Sequence, residues 1–250
     1  MMRGDPGFGK GRSCKAGTPF RRLLPVGLLL LASLGGCKIF SDTWSWYQKL
    51  TVEVMTPDGV RTGSAITRVN WGAVNSFGNA SSSFFGEATV IDLSDGRYLF
   101  ALMDNHTPFL AMSVFGTDLE EKFATAGKRL TGEERFAAME RFRGTRDLAK
   151  QEYPMMVTFD DIHFPETMKL VDPENLSVSF GPGYQLGRVS LTITDEEQTF
   201  GRVEEILSWI HGSRVDPSLN SGRTETMRYP NNSPRGYGTV TVGQFIRRPR

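Results

Sequence analysis

The sequence predicts an α+β fold: a β-rich single domain, mainly antiparallel sheet, closed as a sandwich or an open barrel, with two or three short helices. Three observations predict it. Several short runs alternate apolar and polar residues with the period of two that a half-buried strand requires. The runs are separated by Gly-, Asp-, Asn- and Pro-containing turns, above all Asp95-Gly96 between two apolar stretches. Two Thr-x-x-Glu sequences, Thr117 to Glu120 and Thr131 to Glu134, fit the capping box that opens a helix.

Taken in order, Leu50 to Met55 alternates as a strand. Thr56-Pro57-Asp58-Gly59 forms a turn, and Val60 to Trp71 a second strand. Residues 72–83 are rich in Gly, Asn and Ser and read as a loop. Glu87 to Leu93 and Arg97 to Met103 form a hairpin across Ser94-Asp95-Gly96. The two capping boxes place helices near 118–127 and 132–143, the second with an apolar stripe of Phe136, Met139 and Phe142 and a stop at Gly144. Met155 to Phe159 and Met168 to Val171 read as strands, Phe180-Gly181-Pro182-Gly183 as a turn, and Tyr184 to Thr194 as a long strand. Val203, Ile206, Leu207 and Ile210 share a helical face within Gly201 to Ile210. Beyond Ser213 the composition turns to Ser, Asn, Pro, Gly and Arg, an irregular tail from which Thr239 to Ile246 returns as an edge strand.

Charge divides the 250-residue chain more sharply than its net of +1 suggests. Residues 1–36 hold six basic groups and one acid, and residues 213–250 hold seven arginines and two acids. The stretch between, 38–212, carries a net of −9. An acidic body argues against a nucleic-acid partner, because neutralising phosphates takes clustered Lys and Arg.

The basic leader has a recognisable order. Arg21-Arg22 precede an apolar run from Leu23 to Leu34, which ends in Leu34-Gly35-Gly36-Cys37. That run is shorter than the ~20 residues a membrane-spanning helix needs, and suits the core of a signal peptide. Leu34-Gly35-Gly36-Cys37 resembles the lipobox of bacterial lipoproteins. The resemblance implies cleavage between Gly36 and Cys37 and acylation of Cys37. An uncleaved anchor over Leu23 to Phe40 is the first alternative, although Pro25, Gly27, Gly35, Gly36 and Lys38 interrupt it. Ordinary secretion is the second. Acyl chains anchor at ~0.8 kcal/mol per buried CH₂, so several on one cysteine hold firmly. The expected domains are then a removed signal peptide (1–36), a lipidated tether (37–48), a globular body (49–212) and a basic tail (213–250). Trp44, Trp46 and Tyr47 in the tether either rest at the headgroup level or begin the core. The implied location is the cell envelope, facing the periplasm. Lys38 does not resemble the aspartate that retains enterobacterial lipoproteins in the inner membrane, which favours the outer one.

The only other cysteine is Cys14, in the leader. On the lipoprotein reading the mature chain has no free thiol, which excludes disulfides and thiol chemistry. Three stretches, TVEVMTPDGVRTGSA (51–65), GEATVIDLSDGRYLFALM (86–103) and VDPENLSVSFGPGYQLGRVSLTITDE (171–196), resemble segments of uncharacterised bacterial envelope proteins. That group has no assigned activity, so the resemblance favours one continuous domain and carries over no catalytic residue.

Two clusters have the residue types for metal binding or acid–base work: Asp160, Asp161 and His163, and Asp104, Asn105 and His106. Loop Asp and Asn also serve turns, and neighbouring residues on a strand point to opposite faces, so turn chemistry is the simpler expectation. No cofactor motif is present: Gly181-Pro182-Gly183 lacks the Lys-Ser/Thr and helix of a phosphate loop. His211 is placed to cap the end of the helix before it. Arg214, Arg223, Arg228, Arg235, Arg247 and Arg248 either contact an anionic surface or fold back on the acidic body. The function class that best fits is a membrane-tethered, non-catalytic interaction module with an envelope protein or anionic surface as partner. A carboxylate-dependent hydrolase or carbohydrate-active enzyme is one alternative. A carrier of apolar ligands, suggested by 17 Phe and 10 Met, is another.

Overall fold

Two strands of 14 residues, β1 (Thr43–Thr56) and β2 (Gly59–Gly72), pair antiparallel along their whole length. The computed structural model describes residues 43–125, 127–211 and 240–249. At the hairpin tip Gly59 takes a φ of +119°, and the Thr56 hydroxyl donates to its carbonyl at 2.8 Å. Trp46, Gln48, Val52 and Val54 of β1 are buried, while the alternate residues are half-buried or exposed. The strand therefore starts six residues before the expected boundary at Lys49. Trp46 is only 3% exposed and belongs to the core, and Trp44 tilts against Phe136 at 5.4 Å. Gln48 hid this start, because a polar residue sits on the inward phase. Its amide is satisfied inside, donating to the Thr107 carbonyl at 2.8 Å.

The remaining strands are short: β3 (Ser82–Glu87), β4 (Thr89–Asp92), β5 (Tyr98–Ala101), β6 (Gly144–Asp147), β7 (Met156–Phe159), β8 (Met168–Val171), the longer β9 (Gln185–Thr194) and β10 (Ile246–Arg247). They build a six-stranded sheet in the order β10-β3-β2-β1-β9-β6 and a four-stranded sheet in the order β4-β5-β7-β8, with every pairing antiparallel. The expected strand from Glu87 is the far side of a corner. The chain runs through β3 in the first sheet, bends at Gly86 and continues as β4 in the second. Gly86 has a φ of +153°, and a Cβ there would lie 2.9 Å from the Ile66 carbonyl oxygen. Strands change sheets at such bends in packed β-proteins. The Asp95-Gly96 hairpin forms as expected, with φ of +54° and +70° at the two turn residues and a 3.0 Å bond from the Arg97 N–H to the Ser94 carbonyl.

Six short helices are present among the described residues, more than the two or three expected: α1 (Thr107–Val114), α2 (Gly116–Phe123), α3 (Gly132–Arg141), α4 (Leu176–Phe180), α5 (Arg202–Ile206) and α6 (Val242–Phe245). α1 is apolar on all sides, so it leaves no periodic signal. Thr117-Glu120 is not a capping box. α2 follows α1 after the single residue Phe115, which puts Thr117 inside its first turn. Glu120 instead accepts from the Leu130 N–H at 3.0 Å and from Arg135, which together hold its carboxyl below the ordinary range. Thr131-Glu134 is a true box at the start of α3, with reciprocal bonds of 3.3 and 2.7 Å. Thr131→Ala is expected to lower the stability by about 1 kcal/mol, read as a shifted urea midpoint at constant slope. An unchanged midpoint would show that the box is idle.

The four-stranded sheet is buried on both faces. Ile91, Leu99, Ala101, Met103, Met156 and Val171 point into a core shared with the six-stranded sheet and α1 to α3. Their neighbours Val90, Phe100, Leu102, Met155, Val157 and Met168 point into a second core, closed by Val203, Leu207 and Ile210 and by Val240, Phe245 and Ile246. The period of two in these strands thus divides one sequence between two cores. The expected tail from 213 onward needs correcting at its far end. Residues 212–239 lie outside the described residues, but 240–249 return to the body. There Thr241-Val242-Gly243-Gln244 makes a turn of helix in place of the expected strand, because the Gln244 side chain accepts from the Thr241 N–H at 2.9 Å. Only Ile246 and Arg247 pair as an edge strand, opposite Glu87 and Gly86.

Candidate functional site

Asp160, Asp161 and His163 occupy the turn after β7, where both aspartates and the His163 backbone N–H are engaged locally. Asp160 pairs with Lys169 at 2.6 Å. Asp161 accepts from the His163 N–H at 2.9 Å, and the Thr167 hydroxyl donates to the Asp161 carbonyl at 2.8 Å. The Asp104 carboxylate similarly accepts from the N–H groups of His106 and Thr107, at 2.8 and 3.1 Å, as the chain enters α1. Both clusters are turns of the kind that Asp favours. They occupy different places: the Asp104–His106 turn lines an internal cavity, while the Trp209 indole donates to the Ile162 carbonyl at 2.7 Å in the other. Among the described residues no group of three His, Cys, Asp or Glu is placed to hold a metal ion.

The internal cavity has a volume of about 40 Å³ and sits where the chain changes sheets. Gln48, Thr67, Glu87 and Thr89 line it, and all four are buried. Glu87, 4% exposed, accepts from the Val203 N–H at 3.0 Å and so satisfies an otherwise orphaned donor in the first turn of α5. Leu50, Leu102, Met103, Leu110 and Leu191 complete a mixed lining, and the volume has room for no more than a few waters. It is far below the several hundred Å³ of a pocket for a drug-sized or lipidic ligand.

A larger groove, about 430 Å³, runs between the 3₁₀ turn Lys150–Glu152, α4 and the start of β9. Lys150, Tyr153, Glu174, Asn175, Tyr184 and Gln185 line it. Lys150 and Glu174 pair at 2.6 Å, and the carboxylate raises the ammonium pKa above its ordinary value. The Tyr184 hydroxyl accepts from Arg97 at 2.7 Å, and the same guanidinium lies 5.1 Å from the ring centre. Arg97 also donates to the Phe180 carbonyl at 3.0 Å, which ties the turn Gly181-Pro182-Gly183 to the hairpin at Asp95. The groove therefore has a fixed floor, polar walls and a neutralised charge pair. Sequence reading missed it. Its residues come from separate segments, and the five-residue α4 buries only Leu176 and Phe180, one turn apart, with Val178 exposed between them.

Of the six arginines considered for an anionic surface, Arg214, Arg223, Arg228 and Arg235 lie outside the described residues, as do Gly36 and Cys37. Arg247 and Arg248 rest on the body. Arg247 lies 4.1 Å from the centre of the Phe84 ring, where burial pushes its pKa down. Arg248 covers the Phe200 ring and pairs with Glu204 at 2.6 Å. The His211 ring also meets Glu204, so it does not cap helix carbonyls as expected. With Arg248 it holds that carboxyl below the ordinary range.

No helix among the described residues is long and apolar enough to cross a membrane. Comparison with known proteins gives no match: no family model, no curated protein and no solved structure matches the chain.

Proposed function

We propose that the chain is a lipid-anchored protein of the cell envelope, held on the membrane through Cys37, whose body is a non-catalytic interaction module. The order of the leader carries this reading: Arg21-Arg22, a twelve-residue apolar run, then Leu34-Gly35-Gly36-Cys37. The use of Asp104, Asp160 and Asp161 in local turns and ion pairs supports a non-catalytic body. The groove between α4 and β9 is the binding surface of this module. Its paired charge and fixed tyrosine suit a neutral, hydrogen-bonding partner segment.

Cell fractionation tests the anchor. The native chain is expected in the membrane fraction with incorporated fatty acid. Cys37→Ser is expected to lose the label and to keep an uncut leader. A Cys37→Ser chain whose leader is removed as in the native one would show that cleavage does not depend on the cysteine, and the reading would fail.

A further inference from the structure

Phe77 is 87% exposed, the most exposed of the large apolar side chains in the body. Its loop is not loose. The Asn75 N–H donates to the Asn79 carbonyl at 2.8 Å, and the Gly78 N–H donates back to the Asn75 carbonyl at 2.9 Å. The Asn75 side chain accepts from the N–H groups of Phe77 and Asn79, both at 3.0 Å. At its base the Gly72 N–H donates to the Ser81 carbonyl at 2.9 Å, and the Val74 N–H reaches Glu133 at 3.2 Å. A tightly bonded loop thus holds a phenyl ring out in water.

The position of that loop is informative. It joins β2 to β3 at the end of the sheet where Thr43 pairs with Gly72, the end at which the chain enters the fold. Phe109, 49% exposed, lies at the same end, edge-on to Trp71 at 5.0 Å. An extended chain covers about 3.3–3.6 Å per residue, so Thr43 lies within roughly 20 Å of Cys37. The other exposed apolar pair of this hairpin, Met55 and Val60, is at the opposite tip. Strands of this length put that tip roughly 45 Å away.

We propose that the Phe77 loop is a membrane contact: Phe77 enters the headgroup boundary of the bilayer that carries the Cys37 lipid, at the end of the sheet where Phe109 is also exposed. The proposal rests on the lipid-anchor reading. Aromatic side chains are favoured at that depth. Trp44 and Trp46, which the sequence offers for this role, are occupied by the protein core. Two attachments, one lipid and one loop, orient the body and leave the far tip directed away from the bilayer.

Ser76 and Asp58 are both exposed, and each is replaced by cysteine in the full chain for labelling with a polarity-sensitive fluorophore. Lipid on Cys37 leaves the introduced thiol as the reactive one. In vesicles of phosphatidylethanolamine and phosphatidylglycerol, the label at position 76 is expected to shift to the blue and to escape aqueous quenchers. The label at 58 stays in water. Adding Phe77→Ser to the first variant returns its label to water. If both labels stay in water while the mass of the N-terminal peptide shows acylated Cys37, the loop contact is wrong and the anchor stands. A label shielded at 58 instead of 76 also overturns the contact. A chain that stays in the supernatant and takes fluorophore on Cys37 overturns both.

Discussion

Replacing Phe245 by alanine is expected to lower the stability of the protein by about 4 kcal/mol, the usual scale for emptying a large buried site. Phe245 is fully buried, 5.6 Å from Phe100 and 6.0 Å from Phe159, ring centre to ring centre. It is the keystone of the second core. Its carbonyl accepts from the Ala88 N–H at 2.8 Å, at the corner where the chain changes sheets, and the neighbouring Gln244 carbonyl accepts from Met103 at 2.9 Å. The C-terminal segment therefore covers the outer face of the four-stranded sheet with side chains and ties it down with backbone bonds. Domains are stable by only about 5–15 kcal/mol, so this one truncation removes a large share. Phe245→Leu keeps most of the volume and is expected to lose much less. Urea unfolding measures both. A Phe245→Ala midpoint close to native would mean that residues 240–249 lie on the body without completing it.

The second large effect is expected at Gly63. A Cβ built on this residue of β2 falls 2.1 Å from the Val90 carbonyl oxygen and 2.8 Å from its carbon. These are backbone atoms of β4 in the other sheet, so no side-chain rotation relieves the overlap. Gly63→Val must push β2 and β4 apart where they meet at Val90. Overpacking in cores costs about 1–3 kcal/mol, and a clash with backbone lies at or beyond the upper end. The expected result is a chain that unfolds at lower urea, with stronger binding of a hydrophobic dye if the sheets separate without unfolding. Gly59→Ala is the control, since a Cβ there meets nothing within 4 Å, although its φ of +119° adds local strain. Equal stability of Gly63→Val and the native chain would contradict the sheet packing described.

The two cases show what a single sequence carries. The Asp95-Gly96 hairpin, the Thr131-Glu134 box and the strands around Met156, Met168 and Leu191 are legible, because each depends on neighbours in sequence. The corner at Gly86 is not. Its glycine is needed by the Ile66 carbonyl of another strand, and nothing near residue 86 reveals that contact. β6 is Gly-Thr-Arg-Asp, a polar edge strand that exists through its pairing with β9. Residues 239–246 read as an edge strand returning from a polar tail. Their three buried side chains gain a role only when the second core is seen. The two titratable clusters were legible as turns. The groove was not, since Lys150, Glu174 and Tyr184 converge from three segments with no shared spacing.

On the proposed lipid-anchor reading, Leu34-Gly35-Gly36-Cys37 is the processing site of the leader, and the first strand of the body begins at the end of the sheet that carries the exposed Phe77 loop. The intact mass of the protein purified from native membranes tests this most directly. The predicted mass is that of residues 37–250 plus the lipid of a diacylglyceryl-modified cysteine, with the modification on the N-terminal peptide. A mature chain beginning elsewhere, or beginning at Cys37 with an unmodified thiol, would contradict the account.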